Sequence, residues 1–333
     1  MRNRERGMSR PRSIGRLLKV YWNYVVARRS RCSYPPYRVW VESTSKCNLR
    51  CPMCPNKSLD KSQLGMMDPD LFGKIIDQIA PYVHDMNIHH RGESLLHPDL
   101  ASMIAYATER GIMVKLHTNA TLLDEEKSHQ LVQSGLNLIS FSFDGLDAET
   151  YERYRKGASF HDTVRNIRNF LKIKKKLGSS QPFAILEMMD LSEVDRRYSL
   201  RDKKEFLSKF DHLPLDRFVV KKPHNFGGNV RLTPSDDPSL RPLTPCTILW
   251  HSLVVLWNGE VVPCPQDFFG QMVLGNVQEE KLVDIFNTPE LIKLRKNMLR
   301  RQVDPCGPCA RCDFIRRPTA LGIPLQSLRY LRK

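Results

Sequence analysis

From residue 38 onward the chain alternates short apolar runs with longer amphipathic stretches. Strand-like runs fall at Arg38–Glu42, Met86–His90, Ile112–His117, Leu138–Phe143, Phe183–Met188 and Phe218–Lys221. Between them lie helix-like stretches at 69–80, 98–110, 123–134, 147–176 (long enough for two helices) and 199–210. Six strands alternating with helices predict successive βα units around a parallel sheet, an α/β protein. In such folds the chemistry sits where strands end, at their carboxyl edge. The stretch that follows the first strand is therefore the first place to look.

The pattern changes after residue 222. Residues 223–245, rich in Pro and Gly, read as a connector. "HSLVVLWNGEVVPC" is two β-rich runs around Asn258–Gly259, a hairpin signal. A short helix at 281–287 follows, then another opening at Thr288–Pro289, a capping residue with Pro at the first helical position. This divides the chain into an arm (1–37), a barrel-like unit (38–222), a connector (223–245), a small second domain (246–315) and a basic tail (316–333).

Charge changes the picture only at the start. The formal net charge is +16, and residues 1–38 hold eleven Lys or Arg against Glu5 alone. One reading is a solvated arm. The other is an arm that docks on an anionic membrane surface, since Lys19 and the Arg28–Arg29 pair flank an apolar run. No recognition motif for specific nucleic acid accompanies it. The run Leu17–Ala27, broken by Lys19 and Asn23, is too short to span a bilayer and has no cleavage site after it. Nine cysteines without a secretory signal then point to a reducing compartment and metal ligands rather than disulfides. The expected location is the cytoplasm, including its membrane periphery.

Directly after the first strand, "CNLRCPMC" places Cys47, Cys51 and Cys54 in a C-x3-C-x2-C run. Soft thiolates suit zinc or an iron–sulfur cluster, and both normally take four protein ligands. A three-thiol site keeps one position for another molecule, unless His89, His90 or His97 completes a zinc site. The second set is Cys246, Cys264, Cys306, Cys309 and Cys312, two of them at the feet of the hairpin and three in "CGPCARC". Zinc on these thiols is the alternative there too. Cys32 lies outside both sets and reads as an ordinary thiol.

The "CNLRCPMC" run resembles the signature of the radical S-adenosylmethionine (SAM) superfamily. Three further stretches match in order. "RGESLLHPDL" resembles the family's "GGEP" segment, with Arg91 in place of Gly and Ser94 in place of Pro. "LHTNATLL" and "SFSFDGLDAETYERYRKG" resemble the segments after the third strand and along the fourth. The resemblance implies a partial (β/α)6 TIM-type barrel. Its three cysteines hold a [4Fe–4S] cluster whose open iron is chelated by S-adenosylmethionine. Reductive cleavage then gives a 5′-deoxyadenosyl radical that abstracts hydrogen from a substrate carbon. Carried over by position, Gly92 and Glu93 meet the methionyl amino group, Asn119 lies near ribose or adenine, and Ser142 and Arg155 hold ribose or carboxylate.

The C-terminal cysteines resemble the SPASM/twitch extension, a small α+β domain that binds auxiliary [4Fe–4S] clusters. Five thiols supply one complete cluster, with Cys309 and Cys312 as expected ligands and Cys306 less clearly so. The implied partners are a one-electron reductant such as flavodoxin or ferredoxin and a small-molecule or peptide substrate. The single-cluster count and the seventeen residues between Cys246 and Cys264 lean toward oxidation of a sugar or aminocyclitol. A non-catalytic metal-binding protein that uses its arm on nucleic acid or an anionic surface is the alternative. It leaves "RGES", "HTNAT" and "FDGLDAETYERYRKG" without a purpose.

Overall fold

The computed structural model describes residues 15, 18–192, 195, 197–231, 243–244, 246–305, 307–317, 319–320 and 323–324. Six parallel strands appear where the pattern places them: β1 (Arg38–Val41), β2 (Asp85–Asn87), β3 (Met113–Thr118), β4 (Leu138–Ser142), β5 (Phe183–Met189) and β6 (Arg217–Lys221). They pair in chain order. The five expected helical stretches link them as six helices: α1 (Pro69–Ile79), α2 (Leu100–Glu109), α3 (Glu125–Gln133), α4 (Ala148–Tyr154), α5 (Phe160–Lys176) and α6 (Leu200–Ser208), the 147–176 stretch splitting in two. Their starts are local chemistry. Asp68, Asp124, Asp147, Ser159 and Ser199 each accept from a backbone N–H of the first turn, a contact worth about 1 kcal/mol.

Strand periodicity sorts the side chains. On β1 and β3, Val39, Val41, Val114 and Leu116 are fully buried under the helices. Alternate positions face the lumen: Arg38 and Trp40 on β1, Asp85 and Asn87 on β2, Lys115 and His117 on β3, Ser140 and Ser142 on β4, Glu187 on β5, Lys221 on β6. At the start of the strands Asp85 binds Arg38 (2.5 Å) and Lys115 (3.0 Å). These two cations hold its carboxyl far below the usual range although burial opposes them. β2 ends before the predicted His90. Ile88 still donates to Lys115 O, but the chain then turns toward the cysteine loop.

The hairpin of the small domain does not stand apart. Its first strand, β7 (Ser252–Val255), pairs parallel with β1, from Arg38↔Ser252 to Val41↔Val255. β8 (Glu260–Val262) and β9 (Gly275–Asn276) extend it antiparallel, so one nine-stranded sheet runs through both units in the order β6-β5-β4-β3-β2-β1-β7-β8-β9. All four residues of β7 are buried, as a strand flanked on both edges requires. Helices α7 (Leu282–Ile285) and α8 (Pro289–Leu299) close this side.

The arm corrects the expectation of a solvated segment up to residue 37. Val20, Asn23, Tyr24 and Cys32 are buried, and the Tyr24 ring lies 5.0 Å from that of Trp250. Trp250 Nε1 donates to Arg29 O. Fully buried Arg295 of α8 donates to Ser30 O, Leu249 O, Phe286 O and Asn287 Oδ1. The apolar half of the run has a core to enter, which composition alone could not show.

Candidate active site

The cysteine loop leaves β1 through Glu42–Ser45, all buried. Its underside is stitched down by backbone and amide contacts. Asn56 Nδ2 donates to Ser45 O (2.7 Å) and to Arg91 O (2.9 Å). Glu93 N–H donates to Lys46 O. Gly92 fits beneath the loop because it has no side chain: a Cβ there would stand 2.4 Å from both Lys46 O and Thr44 O. Leu49, Cys51 and Met53 are buried against Tyr154, Ala158 and Met189, the last at the lumen end of β5.

Burial raises all three thiols. Cys47 is pushed to about 11, against the opposing Leu49 backbone N–H, and Cys51 and Cys54 also rise. The Arg155 guanidinium beside Cys51 pulls that thiol back down. Arg155 Nη2 is 2.5 Å from the Asp144 carboxylate, while its Nε is buried without a partner. Such an atom costs about 1–3 kcal/mol unless a bound group satisfies it. An acceptor-bearing ligand beside the three thiols would do so. Asp144 is itself anchored, accepting from Met189 N–H (2.7 Å).

Glu93 and Asn119 come together as the sequence order suggests. The Glu93 carboxylate accepts from Thr118 Oγ1 (2.7 Å) and Leu95 N–H (3.1 Å) on Oε1, and from Asn119 N–H (2.7 Å) on Oε2. Burial raises its pKa, opposed by these donors and by Arg155. Both oxygens therefore already clamp the loops after β2 and β3 together. Asn119 Nδ2 donates to Asn48 Oδ1 (3.0 Å), inside the cysteine run. Ser142 ends β4 on the lumen face.

Sequence reasoning passed over the lumen below this loop. Lys221 Nζ is 2.5 Å from Glu187 Oε2, Ser140 Oγ donates to the same oxygen at 3.2 Å, and His117 Nδ1 lies 4.0 Å from it. The His89 ring packs on His117 at 4.4 Å. Burial, then Lys221 and Lys115, push His117 down to about 3, and burial likewise depresses His89 and takes His224 to about 4. These imidazoles are neutral at pH 7. The signal was available in part: "VKLHT" and "LISFS" carry polar residues at alternate positions, and "FVVK" ends on a single Lys. Arg91 and Asp144 were also missed as partners of Glu42 and Arg155.

In the second set, Cys246, Cys264, Cys309 and Cys312 line one cavity, walled otherwise by apolar side chains such as Ile248, Leu294 and Phe314. Cys306 lies outside the described residues. Burial takes Cys246 to about 11 and Cys312 to about 12, and raises Cys264 and Cys309 further, helped by their mutual repulsion. Metal uptake here must displace protons. Among the described residues no three His, Cys, Asp or Glu side chains close tightly enough to hold a single ion. Thiols ringed around a cavity fit a larger iron–sulfur unit. His97, a candidate fourth zinc ligand at the first set, is bonded instead to Met67 O and Asp99 N–H.

A parallel barrel sheet with an open three-thiol loop at its carboxyl edge suits an iron–sulfur cluster that leaves one iron free for another ligand. Residues 41–185 match the radical SAM superfamily and residues 246–313 match the SPASM iron–sulfur cluster-binding domain. The cofactors of this arrangement are S-adenosylmethionine and two [4Fe–4S] clusters. The chain is similar to the tungsten-containing aldehyde ferredoxin oxidoreductase cofactor-modifying protein of Pyrococcus furiosus, with 27% identity over 84% of this chain and 89% of the relative. It is 26% identical to the PqqA peptide cyclase of Gluconobacter oxydans over 83% of each chain. Among solved structures, BtrN in complex with AdoMet and 2-DOIA aligns at a TM-score of 0.55 with 21% identity, covering 83% of this chain and 92% of BtrN. That likeness is one of fold.

Proposed function

We propose that the chain is a radical oxidoreductase acting on a polar, hydroxylated small molecule held in the barrel lumen. The observation that carries this reading is the lumen itself, where Glu187, Lys221 and His117 meet below a three-thiol loop. When bound, the cofactors supply one-electron cleavage of S-adenosylmethionine, hydrogen-atom abstraction from carbon and, at the second cluster, a one-electron acceptor. Cys47, Cys51 and Cys54 are the proposed ligands of the first cluster. Cys246, Cys264, Cys309 and Cys312 are those of the second, with Cys306 as the spare.

Arg155, with its unpartnered Nε, binds the cosubstrate's carboxylate, and Ser142 its ribose. Glu93 and Gly92 shape the methionyl end, where Glu93 works chiefly by fixing the Asn119 segment against the loop. Neutral His117 and the Glu187–Lys221 pair offer donors and acceptors for hydroxyl or amino groups. Oxidation of a carbinol removes a hydrogen atom from carbon, a proton from oxygen and one electron. Glu187 Oε2 is the group placed to take the proton. The 2-deoxy-scyllo-inosamine dehydrogenase of Niallia circulans and the PqqA peptide cyclase of Gluconobacter oxydans mark two substrate types among relatives, and an ionic lumen favours the first.

The test uses anaerobically reconstituted protein, expected to hold about eight irons per chain from two four-iron clusters. Cys51→Ala should abolish 5′-deoxyadenosine formation. Folded Cys264→Ala, with first-site iron retained, should still form some while substrate oxidation stops. In a panel of sugars, aminocyclitols and short peptides, hydroxylated small molecules should raise 5′-deoxyadenosine above the uncoupled rate. A response to peptides alone would overturn the substrate assignment.

A further inference from the structure

Residues 18–26 are helical, closing in π-type turns over Trp22–Val26. The segment has two apolar faces. One, with Val20 and Tyr24, is buried against the small domain. The other carries Leu18, Trp22 and Val26, which are 62%, 56% and 50% exposed. Three large apolar side chains spaced four residues apart form a stripe along one side, and among the described residues nothing covers it.

Cationic groups surround this stripe. Lys19, Arg28, Arg29 and Arg31 are exposed. Arg28 Nη2 donates to Leu299 O at the end of α8, which brings exposed Lys296, Arg300 and Arg301 to the same side. The sequence ahead of the segment adds Arg2, Arg4, Arg6, Arg10 and Arg12 against Glu5. An exposed Trp between aliphatic residues, ringed by Lys and Arg, has the chemistry of a helix lying in a headgroup layer. Its charge selects anionic lipid. Among the described residues no helix is long and apolar enough to cross a membrane, so the contact is peripheral.

We propose that the Leu18–Trp22–Val26 stripe seats this protein on an anionic membrane surface. The segment that carries the stripe is seated through Tyr24 on Trp250, just before β7 begins, and Tyr37 N–H donates to His251 O where β1 begins. The cysteine loop follows the opposite end of β1. Docking therefore leaves the mouth of the lumen facing the aqueous side, so the enzyme draws its substrate from solution and not from the bilayer. This proposal stands independently of the substrate assignment above.

The experiment is co-sedimentation of the full chain with phosphatidylcholine vesicles, with and without about 30 mol% phosphatidylglycerol. Binding is expected only with the anionic lipid, and should weaken as salt rises from about 0.1 to 0.5 M. The double variant Leu18→Ser, Trp22→Ser should lose at least about tenfold in vesicle affinity, with its circular dichroism and 5′-deoxyadenosine formation unchanged. In the unmodified protein, vesicles should blue-shift tryptophan emission, and Trp22→Phe should remove that shift. Absence of binding, binding indifferent to lipid charge, or parent-like binding by the double variant would each overturn the proposal. Parent-like binding would assign the contact to the arginines alone, as for a nucleic-acid arm.

Discussion

Arg91 and Glu42 form a fully buried, two-pronged ion pair, Nε to Oε1 at 2.7 Å and Nη2 to Oε2 at 2.6 Å. Glu42 also accepts from the Arg91 and Trp257 backbone N–H groups. One carboxylate thus joins the end of β1, the loop after β2 and the hairpin of the cluster-binding domain. Arg91 stands where the family segment has Gly. The departure is a strut between the two cluster regions.

Cutting this strut on one side leaves a charge buried. Arg91→Ala is expected to cost about 3–5 kcal/mol in chemical denaturation, and Arg91→Lys should recover little because it cannot make both prongs. The double variant Arg91→Met, Glu42→Leu should be less damaged than either single change. Because Trp257 hangs on Glu42, the single variants should also lose iron from the C-terminal site. Parent-like stability in Arg91→Ala would show that the pair contributes nothing.

Gly92→Ala should disable the first cluster alone. The new Cβ would clash with Lys46 O and Thr44 O at 2.4 Å, and backbone cannot yield there without moving the cysteine loop. Total iron should fall from about eight to about four per chain, with 5′-deoxyadenosine formation lost. A fully loaded, active Gly92→Ala protein would mean the loop is looser than its contacts indicate.

Arg155→Ala should weaken S-adenosylmethionine binding about ten- to a hundredfold, the scale of one charge-assisted contact. Equilibrium binding to reconstituted protein measures it. Glu93→Gln tests a different role: one oxygen would become an NH2 group that faces either Asn119 N–H, at the Oε2 position, or Leu95 N–H and Thr118 Oγ1, at the Oε1 position. The expected result is lower thermal stability together with weaker binding. Equal binding in the parent and both variants would reject the residue assignments.

Asp85 sets a pH dependence. Its folded pKa lies far below the unfolded value of about 3.9. Its contribution is therefore complete above about pH 5 and is lost progressively as pH falls through 4 and below. Asp85→Asn removes that contribution and leaves Arg38 and Lys115 facing each other. The variant should be less stable at pH 7 by several kcal/mol and should show a flatter acid limb. An unchanged acid limb would assign the sensitivity to other carboxylates.

Deleting residues 1–30 should destabilise the protein, because Val20 and Tyr24 leave the core and expose Trp250. Each such side chain is worth about 1.5–3 kcal/mol. A truncated protein that melts at the parent temperature would show that these contacts are idle.

The sequence by itself determined the six βα units, because strand and helix periods and Asp or Ser caps are local properties. It also determined the cysteine spacing, since three thiols within eight residues must share one loop. Tertiary structure decided what lies far apart in the chain. β7 joins β1 only because both present buried apolar faces and free edges, which no spacing announces. Glu42 meets Arg91 and Trp257, and Arg155 meets Asp144 and Cys51, through loops brought together by strand order. Glu187 and Lys221 look like ordinary polar residues along the chain, and become a binding surface only when alternate positions of a curved sheet face one lumen. The arm shows the same division: its charge is legible in the letters, but which apolar face is buried and which is left open depends on whether a core lies beneath it.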